Sequence, residues 1–208
     1  MRPGAAVLAT LRANPKTAIA AWGFVVRGGA LLDDIGGACA LSCDQFRQTS
    51  IYQITVQDGA GDYYIPYGDR AARYCDVPTG LPDGTLVVTF PMNGCALEVR
   101  DVNGVNRFYH DADGNSMPLH PPGILKFRAA SADYEGAERT THMRALRYFS
   151  KDVQDKLEVK NRGGYEHDVI CVKRGTQWQV YSSANILLNG DAWQVKDRVP
   201  SHLGSFDD

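Results

Sequence analysis

The sequence predicts an α+β fold dominated by antiparallel strands, in one domain over residues 1–208, and three observations carry that expectation. Tyr52, Ile54 and Val56 alternate with Gln53, Thr55 and Gln57, the period of a strand with one solvated face. Asn103-Gly104 stands between two alternating runs, and it is a strong hairpin signal because a type I′ turn needs positive φ at both central residues. Tyr134, Ala137, Thr141, Ala145, Tyr148 and Phe149 fall near three-and-four spacing, so residues 131–157 form the main helix with Ser131 at its start.

In chain order, "AAVLATLRA" predicts a short helix and "TAIAAWGFVV" the first buried strand. "DDIGGACALSCDQF" is a Gly-rich connection without a clear period. After the strand "SIYQITVQD", the stretch Asp58-Gly-Ala-Gly-Asp62 turns the chain into "YYIPY". "TGLPDG" is a dense turn cluster, and the strand "TLVVTF" follows it until Pro91 ends it. "CALEVR" and "VNRFYH" flank the Asn-Gly turn, and "DADGNSMPLHPPG" is a loop. Beyond the helix come "HDVICVKR", a turn at Gly175, "TQWQVYSSANILL", a turn at Asn189-Gly190-Asp191 and "AWQVKDRV". The result is two packed sheets with one long and one short helix.

Composition excludes several function classes. A formal net charge of -2 without a basic stripe argues against nucleic acid as a partner. The run "AIAAWGFVV" is too short to span a bilayer, so no membrane partner is expected. The N-terminus lacks the apolar region and small-residue cleavage site of a general secretory signal, so export would use another route. A monomer is expected. The five cysteines, at 39, 43, 75, 95 and 171, are an odd set in a chain large enough to fold without disulfides, and they are expected as reduced thiols. Cys39 and Cys43 have no second pair at zinc-ligand spacing, so neither a metal nor another cofactor is expected.

The hairpin makes one cysteine chemically interesting. With Asn103 and Gly104 as the turn, Val102 pairs with Val105, Arg100 with Arg107, Val99 with Phe108 and Leu97 with His110. Cys95 then shares a face with Leu97 and His110, a diagonal neighbour roughly 7–8 Å away at Cα. A register slip of one residue would separate thiol from imidazole. An imidazole beside a thiol moves it toward a thiolate–imidazolium pair, the activation used by cysteine hydrolases. In "PMNG" the backbone N–H groups of Gly94 and Cys95 are positioned to escape the sheet and face a developing oxyanion. The competing reading is an inert buried cysteine, the commoner fate of a strand thiol.

These residues resemble a known group. Asn93-Gly94-Cys95 followed by His110 is similar to the catalytic region of the bacterial toxin glutamine deamidases, the group of Burkholderia lethal factor and the cytotoxic necrotizing factors. Their motif is Leu-Ser-Gly-Cys with a downstream histidine; here it stands as Met92-Asn93-Gly94-Cys95, with asparagine for serine. Thr89, "IPY" and "LPDGTLVV" resemble the lethal factor's run-up to its nucleophile, and the step from Cys95 to His110 resembles the necrotizing-factor spacing. The similarity covers residues 63–112, with a fainter strand pattern over 165–195.

The resemblance implies an α+β sandwich of two mixed, largely antiparallel β-sheets flanked by helices. It implies a toxin or effector that hydrolyses a glutamine side-chain amide of a host protein, acting in the host cytoplasm. Cys95 would be the nucleophile, His110 the general acid and base, Thr89 the group that orients His110, and Asn93 and Gly94 the substrate and oxyanion contacts. Rho-family GTPases and the helicase of translation initiation are the targets the group suggests. A transglutaminase or cysteine protease would use the same Cys/His pair, and a non-enzymatic β-sandwich binding module would bury Cys95.

Among the remaining residues, Asp111, Asp113 and Asn115 imitate a calcium loop, but Gly114 and Pro122 stand wrongly for one, and loop capping is the expectation. Asp111 or Asp113 is also placed to hold the imidazole. His120, His142, His167 and His202 are expected to be solvated or structural. Cys75, Cys171, Tyr134, Tyr148 and Phe149 are expected as packing residues.

Overall fold

The computed structural model describes residues 3–28, 36–47, 49–92, 94–134, 165–188, 191–194 and 201–208. The fold is α+β and mostly strand. Helix α1 (Pro3–Ala13) is followed at once by α2 (Pro15–Ala21), and only then by strand β1 (Gly23–Arg27). The expected strand "TAIAAWGFVV" is therefore half helix. The Asn14 side chain accepts from the N–H of Thr17, Pro15 occupies a first-turn position, and the alanines that follow favour helix over strand.

The Gly-rich stretch expected as a connection is strand β2 (Gly37–Gln45). Helix α1 lies directly on it through a glycine of its own: a Cβ on Gly4 would fall 1.8 Å from the Cys43 carbonyl oxygen. Strand β3 runs from Ile51 to Ile65, straight through the expected turn at 58–62. Ala40 pairs with Gln57 and Cys39 with Asp62, so residues 58–61 bulge outward from an otherwise continuous ladder. Gly59 (φ 150°) and Gly61 (φ 111°) supply the backbone that the bulge requires.

Strands β4 (Ala72–Val77), β5 (Leu86–Thr89), β6 (Ala96–Val102), β7 (Val105–Asp111) and β8 (Ile124–Ala129) follow. The chain then forms a helical turn over 131–134; the rest of the expected long helix, with Ala137, Thr141, His142, Ala145, Tyr148 and Phe149, lies outside the described residues. Strands β9 (Tyr165–Arg174), β10 (Gln177–Leu188), β11 (Asp191–Gln194) and β12 (Ser201–Asp207) complete the fold.

The strands form two sheets. The larger has eight strands in the order β1-β3-β5-β9-β10-β11, with β2 also on β3 and β12 also on β10. It is mixed, because β1 and β5 both run parallel to β3. The smaller, β4-β7-β6-β8, is antiparallel at every pairing, which corrects the expectation of two mixed sheets. Only β6 and β7 are joined by a tight turn; β4 adds to β7 and β8 to β6 across longer connections, each antiparallel.

Each face of the large sheet has its own core. One face packs Phe24, Ile54, Leu86 and Ile170 against Leu8, Leu11 and Ile19 of the helices. On the other, Val87, Cys171, Trp178 and Phe206 share a cluster with Cys75, Val99 and Phe108 of the small sheet. Arg12 of α1 grips the Asp62 carboxylate with both guanidinium nitrogens at 2.6 and 2.5 Å, and Asp62 also accepts from the N–H of Leu86. That bidentate contact fixes the start of β5, the strand that ends in Thr89.

Candidate functional site

The hairpin of β6 and β7 has the predicted register. Val102 pairs with Val105, Arg100 with Arg107, Val99 with Phe108 and Leu97 with His110. Asn103 (φ 56°) and Gly104 (φ 83°) make the turn, and the Gly104 N–H donates to Asp101 Oδ1 at 2.8 Å. Cys95 stands one residue before β6 and packs in the same cluster as Leu97, so it keeps the face of the strand that carries His110.

His110 is fully buried. Its Nδ1 lies 2.6 Å from Thr89 Oγ1, a bond that joins the small sheet to the large one. The Thr89 hydroxyl itself donates to the Ile65 carbonyl oxygen at 3.0 Å. A hydroxyl has one hydrogen to give, so toward the imidazole it accepts, and Nδ1 carries the ring proton. Nε2 is left with its lone pair, buried and with no hydrogen-bond partner among the described residues. Burial lowers the imidazole from 6.5 to about 4, so it is neutral at physiological pH. A resting thiolate–imidazolium pair, the state expected from the spacing, is thereby disfavoured: the buried ring accepts a proton only when negative charge arrives beside it.

This arrangement has a measurable signature. The unfolded chain takes up a proton at His110 below about pH 6.5 and the folded chain only below about 4, so stability is full above 6.5 and falls between those values. The loss is about 3 kcal/mol. Urea titrations across that window should show it in the native protein and not in His110→Gln, after subtraction of the variant's constant offset.

The turn before Cys95 is held from three sides. The Cys95 N–H donates to the Met92 carbonyl at 3.1 Å, and the Met92 N–H donates to the His167 carbonyl at 2.7 Å. The buried hydroxyl of Tyr134 reaches the carbonyl oxygens of both Met92 and Cys95, the latter at 2.7 Å. The Cys95 N–H is thus already engaged, which removes it from the expected pair of oxyanion donors. A tight turn returns its N–H to the carbonyl three residues back. Gly94 adopts φ 81° and would have open space around a Cβ, so its side of the turn is unobstructed. Asn93 lies outside the described residues.

Tyr67 completes the site. Its half-exposed ring sits edge-on to the His110 imidazole, with centroids 5.2 Å apart. The sequence offered a faint signal for Tyr67, an aromatic directly after the Ile-Pro that ends β3. It offered none for the positioning role of Tyr134, because a tyrosine on an apolar helix face reads as core; only the need of its buried hydroxyl for a partner hints at more.

Asp111 does not hold the imidazole. It follows His110 on the strand and so faces the opposite side, where Oδ1 caps the loop by accepting from the Ser116 N–H at 2.6 Å and Oδ2 lies 3.6 Å from Arg128. Asp113 also stands apart, in the 3₁₀ turn Ala112–Gly114. Among the described residues no group of three or more His, Cys, Asp or Glu side chains is placed to hold a metal. His120 and His202 are exposed, and His167 is buried against the Tyr134 ring at 4.9 Å. All five cysteines are free thiols. Burial raises Cys39 and Cys43 to about 12 and pushes Cys75 and Cys171 up as well, which makes these four poor nucleophiles.

No protein-family model matches the chain, and no curated protein is similar enough to count as a relative.

Proposed function

We propose that the chain is a cysteine-dependent amidohydrolase that converts a glutamine side chain of a host protein to glutamate, carried on a sandwich of the two sheets flanked by the helices. One observation carries this reading. A buried imidazole, with Nδ1 committed to Thr89 and Nε2 without a partner, shares a strand face with Cys95. An inert packing pair would not require a histidine with one nitrogen anchored and the other left bare.

The chemistry follows from that tautomer. Cys95 Sγ attacks the carboxamide carbon while Nε2 takes the thiol proton, and the Nδ1–H bond to Thr89 holds the resulting imidazolium in place. As the tetrahedral intermediate collapses, the C–N bond breaks and Nε2 returns its proton to the leaving group, releasing ammonia and a thioester. Water then attacks the thioester, Nε2 accepts a proton from it and passes it to the departing sulfur, and glutamate is freed. Tyr134, through the carbonyls of Met92 and Cys95, keeps the thiol's backbone in position throughout.

Rho-family GTPases and the helicase of translation initiation are the first substrates to assay. Deamidation releases ammonia and raises the target's mass by about one dalton with the chain uncut. Incorporated amine would instead identify a transglutaminase, and cleavage a protease. The burial of Cys95 (4 % exposed) and of His110 (0 %) favours a second reading, a non-enzymatic binding module. On that reading Cys95→Ser leaves the protein's activity intact.

A further inference from the structure

The chemistry proposed for the site needs an access that the closed fold does not give. Cys95 is buried, and so is Nε2 of His110, which has no hydrogen-bond partner among the described residues. That nitrogen must nevertheless come within hydrogen-bond reach of a carboxamide that arrives on another protein. Part of the cover has to move, and the elements around the pair differ in how firmly they are held. On the large-sheet side the imidazole rests on Thr89, which is bonded to the Ile65 carbonyl and paired with Ile65 in the ladder of β3 and β5. The turn before Cys95 is fixed by hydrogen bonds from Met92 to His167 and from Tyr134 to Met92 and Cys95. Neither side is free to swing away.

Tyr67 is held differently. Its ring lies edge-on to the imidazole while 47 % of the residue faces solvent, and residues 66–71, which carry it, belong to no strand. Both ends of the segment are anchored, Ile65 in β3 and Ala72 opposite Asp111 of β7. Between them the one hydrogen bond among the described residues is internal, from the Ala71 N–H to the Gly68 carbonyl at 3.3 Å, where an isolated bridge closes the hairpin. Arg70 at its tip adopts φ 52°, a left-handed conformation that side chains rarely take. The hairpin is seated by packing alone: Tyr67 rests on His110, and Gly68 lies so close to Arg73 of β4 that a Cβ would fall 2.4 Å from Nε. A short segment with fixed ends and no hydrogen bond to the fold beneath it opens locally, without global unfolding.

We propose that residues 66–71 are a flap whose Tyr67 ring shields the Cys95–His110 pair and lifts off the imidazole to admit the target glutamine. The shielding is a property of the fold, and the role as a substrate gate rests on the deamidase reading of the same site.

Two reagents with one reactive group and different bulk test the flap on the full chain. The probes are iodoacetamide and its fluorescein conjugate, each rate being scaled to that of the same reagent with glutathione. In the native protein the conjugate should label Cys95 at least about tenfold more slowly than iodoacetamide, because it needs a wider opening. Tyr67→Ala should close that gap by raising the conjugate's rate, whereas Tyr67→Phe, which keeps the ring, should preserve it. Cys75 and Cys171, both buried in the core between the sheets, should label as slowly in the variants as in the native protein. No gap in the native protein, a gap that survives Tyr67→Ala, or a gap lost in Tyr67→Phe would overturn the flap. Faster labelling of Cys75 and Cys171 alongside Cys95 would overturn it too, because the whole core would then have loosened. Ammonia release from a Rho-family GTPase and from the initiation helicase by the native protein is scored independently. A gap that depends on Tyr67 without ammonia keeps the flap and overturns the deamidase, whereas ammonia without the gap does the reverse.

Discussion

Cys95→Ser is expected to lower ammonia release by about 10⁴-fold or more while shifting the melting temperature by no more than about 2 °C. The two effects separate because the exchange of sulfur for oxygen changes volume little at a site held by backbone contacts. The Cys95 N–H to Met92 and the Tyr134 hydroxyl to the Cys95 carbonyl do not involve the side chain. Chemistry is lost because an alkoxide is far harder to form than a thiolate beside an imidazole that burial already lowers to about 4. His110→Ala should cost a similar factor, and the double variant should be no worse than either single one, since the two groups act as a unit. Additive losses would mean that sulfur and imidazole work independently.

Phe108→Ala is expected to destabilise the protein by about 3–5 kcal/mol, the range for a large aromatic removed from a closed core. Phe108 is fully buried on β7, edge-on to Trp178 at 5.4 Å and to Phe206 at 5.7 Å. Both partners belong to the large sheet, so the ring is a contact through which the two sheets share a core. Its loss should lower the melting temperature by roughly 10 °C. His110 lies two residues further along the same strand, and its bond to Thr89 spans the same gap between sheets. The variant should therefore also lose activity at temperatures where it is still folded. A shift of less than about 1 kcal/mol would show that this cluster contributes little to sheet packing.

The part of the site that was legible in the sequence is the part set by local rules. Asn103-Gly104 admits one turn type, that turn fixes the register, and the register places Cys95 and His110 on one face. The tautomer of His110 could not be read, because it depends on Thr89 donating to Ile65, a contact between strands far apart in sequence. The resemblance to toxin deamidases did point at Thr89. Strand β2 went unrecognised because its first four residues, Gly37, Ala38, Cys39 and Ala40, are small and carry no clear polar–apolar period. Strand β8 went unread although Leu125, Phe127 and Ala129 alternate with Lys126 and Arg128, because six residues directly after a Pro-rich loop give the period little length to show. The long run of β3 was hidden by Asp58-Gly-Ala-Gly, whose composition reads as a turn whether the chain reverses or merely bulges.

The pairing of Cys95 with His110 is tested most directly by site-resolved iodoacetamide labelling of the folded protein across pH, with and without His110→Ala. Exposure cannot supply the answer, since Cys43 is 6 % exposed and Cys95 only 4 %. Burial holds the Cys43 thiol near about 12, which makes it an internal control within the same molecule. The account predicts that Cys95 alone labels at neutral pH, at least about tenfold faster than the other four cysteines, because Nε2 takes the thiol proton as Sγ attacks the reagent, and that His110→Ala removes the advantage. A Cys95 no faster than Cys43, or one indifferent to the loss of His110, would contradict it.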